Sequence, residues 1–200
     1  MKRIFFNDKF DFTNDVIHGN KTQVRMIIPQ NILKKYDDYC SFCDTANSYG
    51  TPAKKPILED FSSFKVGEVV AVAQSYFDIY MSIPEQSRDH NLKILSNQKG
   101  WLEKRCVKSE YMPHQIRITN VRAEHLQDIS DEDCLAEGIF KKPFPFSNSK
   151  EVYVVFQGEG KFTYYDSPQI AYSKIIDKIV KKGTWTNNPL VYAYNFELIK

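Results

Sequence analysis

No stretch of this 200-residue chain approaches the roughly 20 consecutive apolar residues that a membrane-spanning helix requires, so no membrane partner is expected. The opening MKRIFFNDKFDF has charges within and just after its short apolar run and lacks the pattern of a secretory signal. Cysteine is scarce: Cys40, Cys43, Cys106 and Cys134 are the only four, too few to form a disulfide framework. Together these absences predict a cytoplasmic protein. An excess of charge of one sign is also missing. Twenty-seven basic side chains stand against 25 acidic ones, a net +2, which argues against a general nucleic-acid binder acting through a global field. Any polyanion would have to be held by a local cluster. Cys40 and Cys43 have zinc-type spacing, but a structural zinc needs about four ligands and no second such pair follows. No metal and no cofactor is expected. Repeats, low-complexity tracts and regular βαβ alternation are absent too.

What is present is the composition of one globular domain spanning residues 1–200, with 42% hydrophobic and 26% charged side chains. RIFFND, KTQVRMIIP, the apolar run Val69–Ala73, HQIRITNVRAEHL, EVYVVF and PLVYAYNFELI read as strands. The run at Val69–Ala73 has the pattern of a strand buried on both faces. FTNDVIHG reads as a short helix capped by Thr13 or Asn14 and stopped at Gly19, and NILKKYDDYC as another short helix. Ser130 caps a helix that ends at Gly138; Ser167 and Pro168 open an amphipathic one that ends before Gly183. Residues 44–64, 82–100 and 141–165 read as insertions. The fold class predicted is α+β, a small mixed β-barrel decorated by helices and loop insertions.

The stretch GNKTQVR carries the first functional signal, because Lys21 and Arg25 fall on one face of a strand. Arg25 and Arg117 offer planar forks suited to a phosphate or a base edge. Met112, Pro113 and His114 stand at a strand entrance. Trp185 offers a stacking face and Asn188 an amide able to read a heterocycle, although Asn188-Pro189 is also an ordinary turn signal.

GNKTQVRMIIP, FKVGEVVAV, YMPHQIRITNVRAEHLQDISDEDCLAEGI and GTWTNNPLVYAYNFELI occur in the order seen in the ASCH domain family, and the chain resembles its bacterial and prophage members. The resemblance implies a PUA-like barrel with a cationic cleft, lined by Lys21, Thr22, Arg25, Met112, Pro113, His114, Arg117, Trp185 and Asn188. RNA, single-stranded DNA or a modified nucleoside would be the partner. It also implies candidate catalytic residues, because some small members are amidohydrolases that remove an acyl group from a modified cytidine. The lysine of that pattern falls on Lys21, the glutamate on Glu137, and the threonine position on Val24, with Thr22 two positions away on the same strand face. Three alternatives stay open: a binding module, an amidohydrolase, or a phage-derived interaction protein with a vestigial cleft. Lys21 and Glu137 could equally be a plain salt bridge tying strand to helix.

Overall fold

Local chemistry sets most element boundaries. In the computed structural model, which describes residues 1–84, 98–144, 151–157 and 160–199, helix α4 (Asp131–Ala136) starts where the Ser130 hydroxyl accepts the Asp133 N–H at 3.1 Å. Three acidic side chains in its first turn complement the helix dipole, and Gly138, at φ +94°, turns the chain away. Helix α5 (Pro168–Ile179) opens in the same way, with Ser167 capping Ile170 and Pro168 at the first position. It buries Ala171, Tyr172, Ile175 and Ile176, and each large apolar side chain so buried is worth about 1.5–3 kcal/mol.

Two helices depart from expectation. Helix α1 (Phe12–Ile17) is preceded by Asp11 in the left-handed region at φ +58°, not capped by Thr13 or Asn14; Thr13 lies inside it and donates to Asp8 at 2.8 Å. Helix α2 (Gln30–Ser48) continues well past the short segment predicted, into what reads as the first insertion. Its apolar periodicity fades because it lies against the protein with Cys43 alone fully buried. Helix α3 (Tyr76–Ser82) is closed at its start by a reciprocal Ser75–Asp78 capping box. Helix α6 (Thr184–Asn187) is a single turn before the last strand.

Five strands form one sheet in the order β1-β3-β4-β8-β2, built from β1 (Arg3–Ile4), β2 (Gln23–Ile27), β3 (Val69–Val72), β4 (Gln115–His125) and β8 (Leu190–Ile199). β1 runs parallel to β3 and the other pairings are antiparallel. β3 is buried on both faces, as its apolar run predicts: Val70 and Val72 enter the main core, while Ala71 packs with Ala73, Val107 and Met112. A second sheet, β5 (Phe140–Pro143), β6 (Glu151–Phe156) and β7 (Phe162–Tyr165), occupies much of what reads as the third insertion, where β6 alone is expected as a strand. Most of the second insertion, and residues 145–150 and 158–159 of the third, lie outside the described residues.

The α+β expectation holds. The described strands close no barrel: the larger sheet ends at β1, only two residues long, and at β2, which pairs with β8 alone. The register of β4 against β8 shifts between Ile118 and Asn120. This bulge decides which arginine faces β2. Continued without interruption from Arg117↔Glu197, the pairing would put Arg122 on the opposite face; the extra residue sets it opposite Ala193, which also stands opposite Arg25 of β2. Arg25, Ala193 and Arg122 thus form one row across three strands, with the small alanine between the two guanidinium stems.

Candidate functional site

Lys21, Gln23 and Arg25 alternate along β2 and its approach, and all three turn inward, each at most 6% exposed. The Lys21 ammonium donates to Glu137 Oε2 and to the Glu137 carbonyl, both at 2.6 Å. Glu137 stands at the C-terminal end of α4, where the sharp exit at Gly138 brings its main-chain oxygen within reach of the same lysine. The backbone locks this geometry, because Thr22 N–H donates to the Ala136 carbonyl at 2.9 Å. Beneath the lysine, the Phe12 ring centroid lies 4.3 Å from Nζ, within cation–π range.

Arg25 sits at the centre of a wider network. Its guanidinium reaches Glu124 at 2.6 Å, Asp133 at 2.7 Å and Glu137 at 3.3 Å, and it donates to the Gln23 amide oxygen. Gln23 Nε2 donates to the other Asp133 oxygen at 2.9 Å. Arg122 completes the cluster, bonding Asp133 at 2.7 Å, Glu124 at 3.2 Å and the Asn195 side chain at 3.2 Å. Three cations, Lys21, Arg25 and Arg122, therefore meet three carboxylates, Glu124, Asp133 and Glu137. No buried side-chain nitrogen or oxygen among the described residues lacks a partner.

Burial lowers the Lys21 pKa, and the Glu137 carboxylate opposes that shift without cancelling it. Burial acts on Arg25 in the same sense, but Glu137 and its other oxygen partners more than offset it, so its pKa stands above the ordinary value. Asp133 is desolvated as well, yet hydrogen bonds from Gln23 and Arg25 hold its pKa below normal. Tyr172 of α5, fully enclosed and close to Glu137, stays a neutral phenol because burial first, and the carboxylate second, push its pKa far up. Burial likewise raises the Cys134 thiol to about 12, which makes it inert as a nucleophile at neutral pH.

Lys21, Arg25 and Glu137 form the polar floor of a cavity of about 320 Å³. Its walls are apolar, with Phe5, Phe6, Phe12 and Met26 on one side and Tyr172 and Ile175 of α5 on the other. A cleft with mostly apolar walls and a few convergent polar groups is the usual form of a small-molecule site.

The structure brings Lys21, Arg25 and Glu137 together and sets the other candidates elsewhere. The Thr22 side chain is exposed, and Val24, at the position of the family's threonine, supplies apolar lining. Arg117 shares the sheet face of Arg25 but pairs with Glu197 at the surface, four residues along β8 from Ala193, or roughly 13 Å at strand spacing. Met112, 3% exposed, is turned by the Ser109–Tyr111 turn into the smaller apolar cluster and is a core residue. Pro113 is exposed, and His114 bonds Gln74 and lines a different cavity. Trp185 packs edge-on against Tyr172, with centroids 6.2 Å apart, outside the 320 Å³ cavity. Asn188, at φ +44°, serves a turn, its side chain accepting the Gln127 N–H at 2.8 Å.

Gln23, Arg122, Glu124, Asp133 and Tyr172 are not found by sequence reasoning. Alternation from Lys21 to Arg25 points at Gln23. Asp133 reads only as a helix-capping acid, because its ion pairs join distant elements. Among the described residues, no group of three or more His, Cys, Asp and Glu is arranged to hold a metal ion, and all four cysteines are free thiols.

No protein-family model matches the chain, and no curated protein matches it. Among solved structures, it is similar to protein EF3133 from Enterococcus faecalis V583, described as DUF984, with 10% identity over 100% of this chain and 76% of that one. The TM-score is 0.41, and a likeness that distant carries no argument about fold or function.

Proposed function

We propose that the protein is an ASCH-type domain that binds a single modified nucleoside in the cavity above Lys21 and Glu137. The observation that carries this reading is the 2.6 Å ion pair between two side chains 116 positions apart, set at the floor of an apolar cavity. Apolar walls suit the faces of a heterocycle, while a donor and an acceptor side by side at the floor suit its hydrogen-bonding edge. The charge balance favours a nucleoside over a strand. Each cation of the cluster already holds a carboxylate, so a phosphate would have to displace one, whereas a neutral base exchanges hydrogen bonds without that cost.

The test is calorimetric titration with cytidine, N-acylcytidines and a single-stranded oligonucleotide. A nucleoside should bind with a Kd that changes little between about 50 and 200 mM salt, and Glu137→Gln should weaken it roughly tenfold. Oligonucleotide binding that falls steeply with salt, with no response to any nucleoside, overturns the proposal in favour of a polymer site.

A second reading, hydrolysis of the acyl amide, is favoured by the desolvated Lys21 amine in contact with a carboxylate. Val24 provides no hydroxyl there, so water would add to the acyl carbonyl and give up its proton to Glu137. The C–N bond then breaks, and Lys21 protonates the departing nucleoside amine. Turnover of an N-acylcytidine to carboxylic acid and cytidine, abolished in Lys21→Met, supports this reading; binding without turnover leaves the first. Neither binding nor turnover leaves the interaction protein with a vestigial cleft.

A further inference from the structure

A second cavity, of about 570 Å³, shares helix α1 with the first: Phe12 lines the nucleoside cavity, while Thr13, Asn14 and Ile17 line this one. Two imidazoles border it. His18 Nδ1 donates to the Asn14 carbonyl and His114 Nδ1 to the Gln74 amide oxygen, both at 2.8 Å. Those oxygens can only accept, so in its neutral form each ring carries its hydrogen on Nδ1 and leaves the Nε2 lone pair for a donor. Carboxylates of Asp11 and Asp78 stand in the same lining; Asp11 accepts Asn14 Nδ2 at 2.6 Å and Asp78 the Ser75 N–H at 2.8 Å, each with one oxygen, which leaves the other oxygen of each and its charge without a cationic partner among the described residues. Asp8 stands there too, but it is already held by Lys104 and by Thr13. The remaining balance is negative and rich in acceptors.

Gln74 marks the cavity as more than an acidic hollow. It is 2% exposed, its Oε1 is used by His114, and among the described residues its Nε2 has no hydrogen-bond partner. Among the described residues no fully buried side-chain nitrogen is left unsatisfied, so this amide nitrogen keeps contact with the open space of the cavity it lines. A donor on a side chain this enclosed, with no protein partner and access only to the cavity, is open to a ligand atom that accepts. A metal ion does not answer it: the amide nitrogen is a donor, and among the described residues no three His, Cys, Asp or Glu side chains converge on one point. The acceptors are instead spread over a space of molecular size.

We propose that this cavity is a second small-molecule site, which takes an organic cation, an amine or a guanidinium, that also carries a neutral acceptor such as an amide carbonyl. Asp11, Asp78 and the two imidazole Nε2 atoms receive the cation's N–H groups, and Gln74 Nε2 donates to the carbonyl. The proposal is independent of what the first cavity binds.

L-Argininamide joins a guanidinium and an ammonium to an amide carbonyl and carries no carboxylate, so it is the probe. Titrated into the full chain, it should move the His18 and His114 ring signals in NMR saturably, with a submillimolar Kd. Asp11→Asn combined with Asp78→Asn should weaken binding roughly tenfold. The fold should survive this change: asparagine tolerates the left-handed backbone at position 11, and at position 78 it retains an oxygen for the Ser75 N–H. Gln74→Met should weaken argininamide while leaving methylguanidine, which has no carbonyl, unaffected. Three results would each overturn the proposal: no shift of either ring signal at concentrations on the order of 10 mM, unchanged affinity in the double variant, or stoichiometric capture of zinc by the two imidazoles.

Discussion

At the residue scale, two side chains carry consequences that can be measured. Lys21 is 2% exposed and Glu137 4%, so removing Lys21 leaves a poorly solvated Glu137 with only the longer 3.3 Å contact to Arg25. Lys21→Met should cost about 3 kcal/mol in denaturant unfolding, while Lys21→Met with Glu137→Leu should regain most of that loss. A single variant as stable as the parent would mean that Arg25 or water satisfies Glu137 without the lysine. Asp15 titrates differently. Burial, then the neighbouring Asp11, raise its pKa from the ordinary 3.8 to about 6, against weaker pulls from Asn20, Lys21 and His18. The native state therefore holds this proton to higher pH than the unfolded chain does. Its contribution to stability is intact below about pH 4 and is lost as the pH rises through about 6. Asp15→Asn removes that loss, so thermal melts should show the parent falling behind the variant across this interval and by a constant margin above it. A gap that narrows with rising pH contradicts the assignment.

At the element scale, the turn after α4 links backbone conformation to the site. Gly138 adopts φ +94°, and a Cβ built there would meet the Phe12 ring at 3.2 Å and the Asp15 carboxylate at 3.5 Å. Gly138→Ala should destabilise by about 2 kcal/mol from the backbone strain alone. It should also weaken the proposed nucleoside binding, since Phe12 is the wall that would have to yield; calorimetry on the folded variant separates the two effects. This turn was legible beforehand, as were the Ser130 and Ser167 caps, because caps and left-handed glycines act within one helical turn of sequence. Helix α2 was legible only in its first half, since a helix with a single fully buried residue leaves little apolar rhythm to read. The sheet β5-β6-β7 was hidden for a related reason: Phe140–Pro143 and Phe162–Tyr165 present mostly exposed side chains, so no alternation marks them as strands. The bulge in β4 falls at Thr119–Asn120, where one asparagine inside a strand-like run does not fix a register shift, and nothing short of the β8 register shows that Arg122 rather than Arg117 faces Arg25.

For the whole molecule, near-neutral net charge proves to hide a strong local organisation. Three cations and three carboxylates are drawn into one partly buried cluster from β2 and its approach, β4 and α4, while pairs such as Lys108–Glu110 and Arg117–Glu197 stay at the surface, a division that a composition count cannot reveal. No described helix is long and apolar enough to cross a membrane, in line with the absence of long apolar runs. The topology also fixes an order of events. Among the described strands β2, which presents Arg25, has β8 as its sole sheet neighbour, and β8 comes from late in the sequence. During synthesis at roughly 5–20 residues per second, the strand with the key basic groups thus waits on the order of ten seconds or more for its partner. Until the ribosome has delivered that late segment β2 has no strand to join, and the pocket it helps to frame is among the last parts of the protein to come into being.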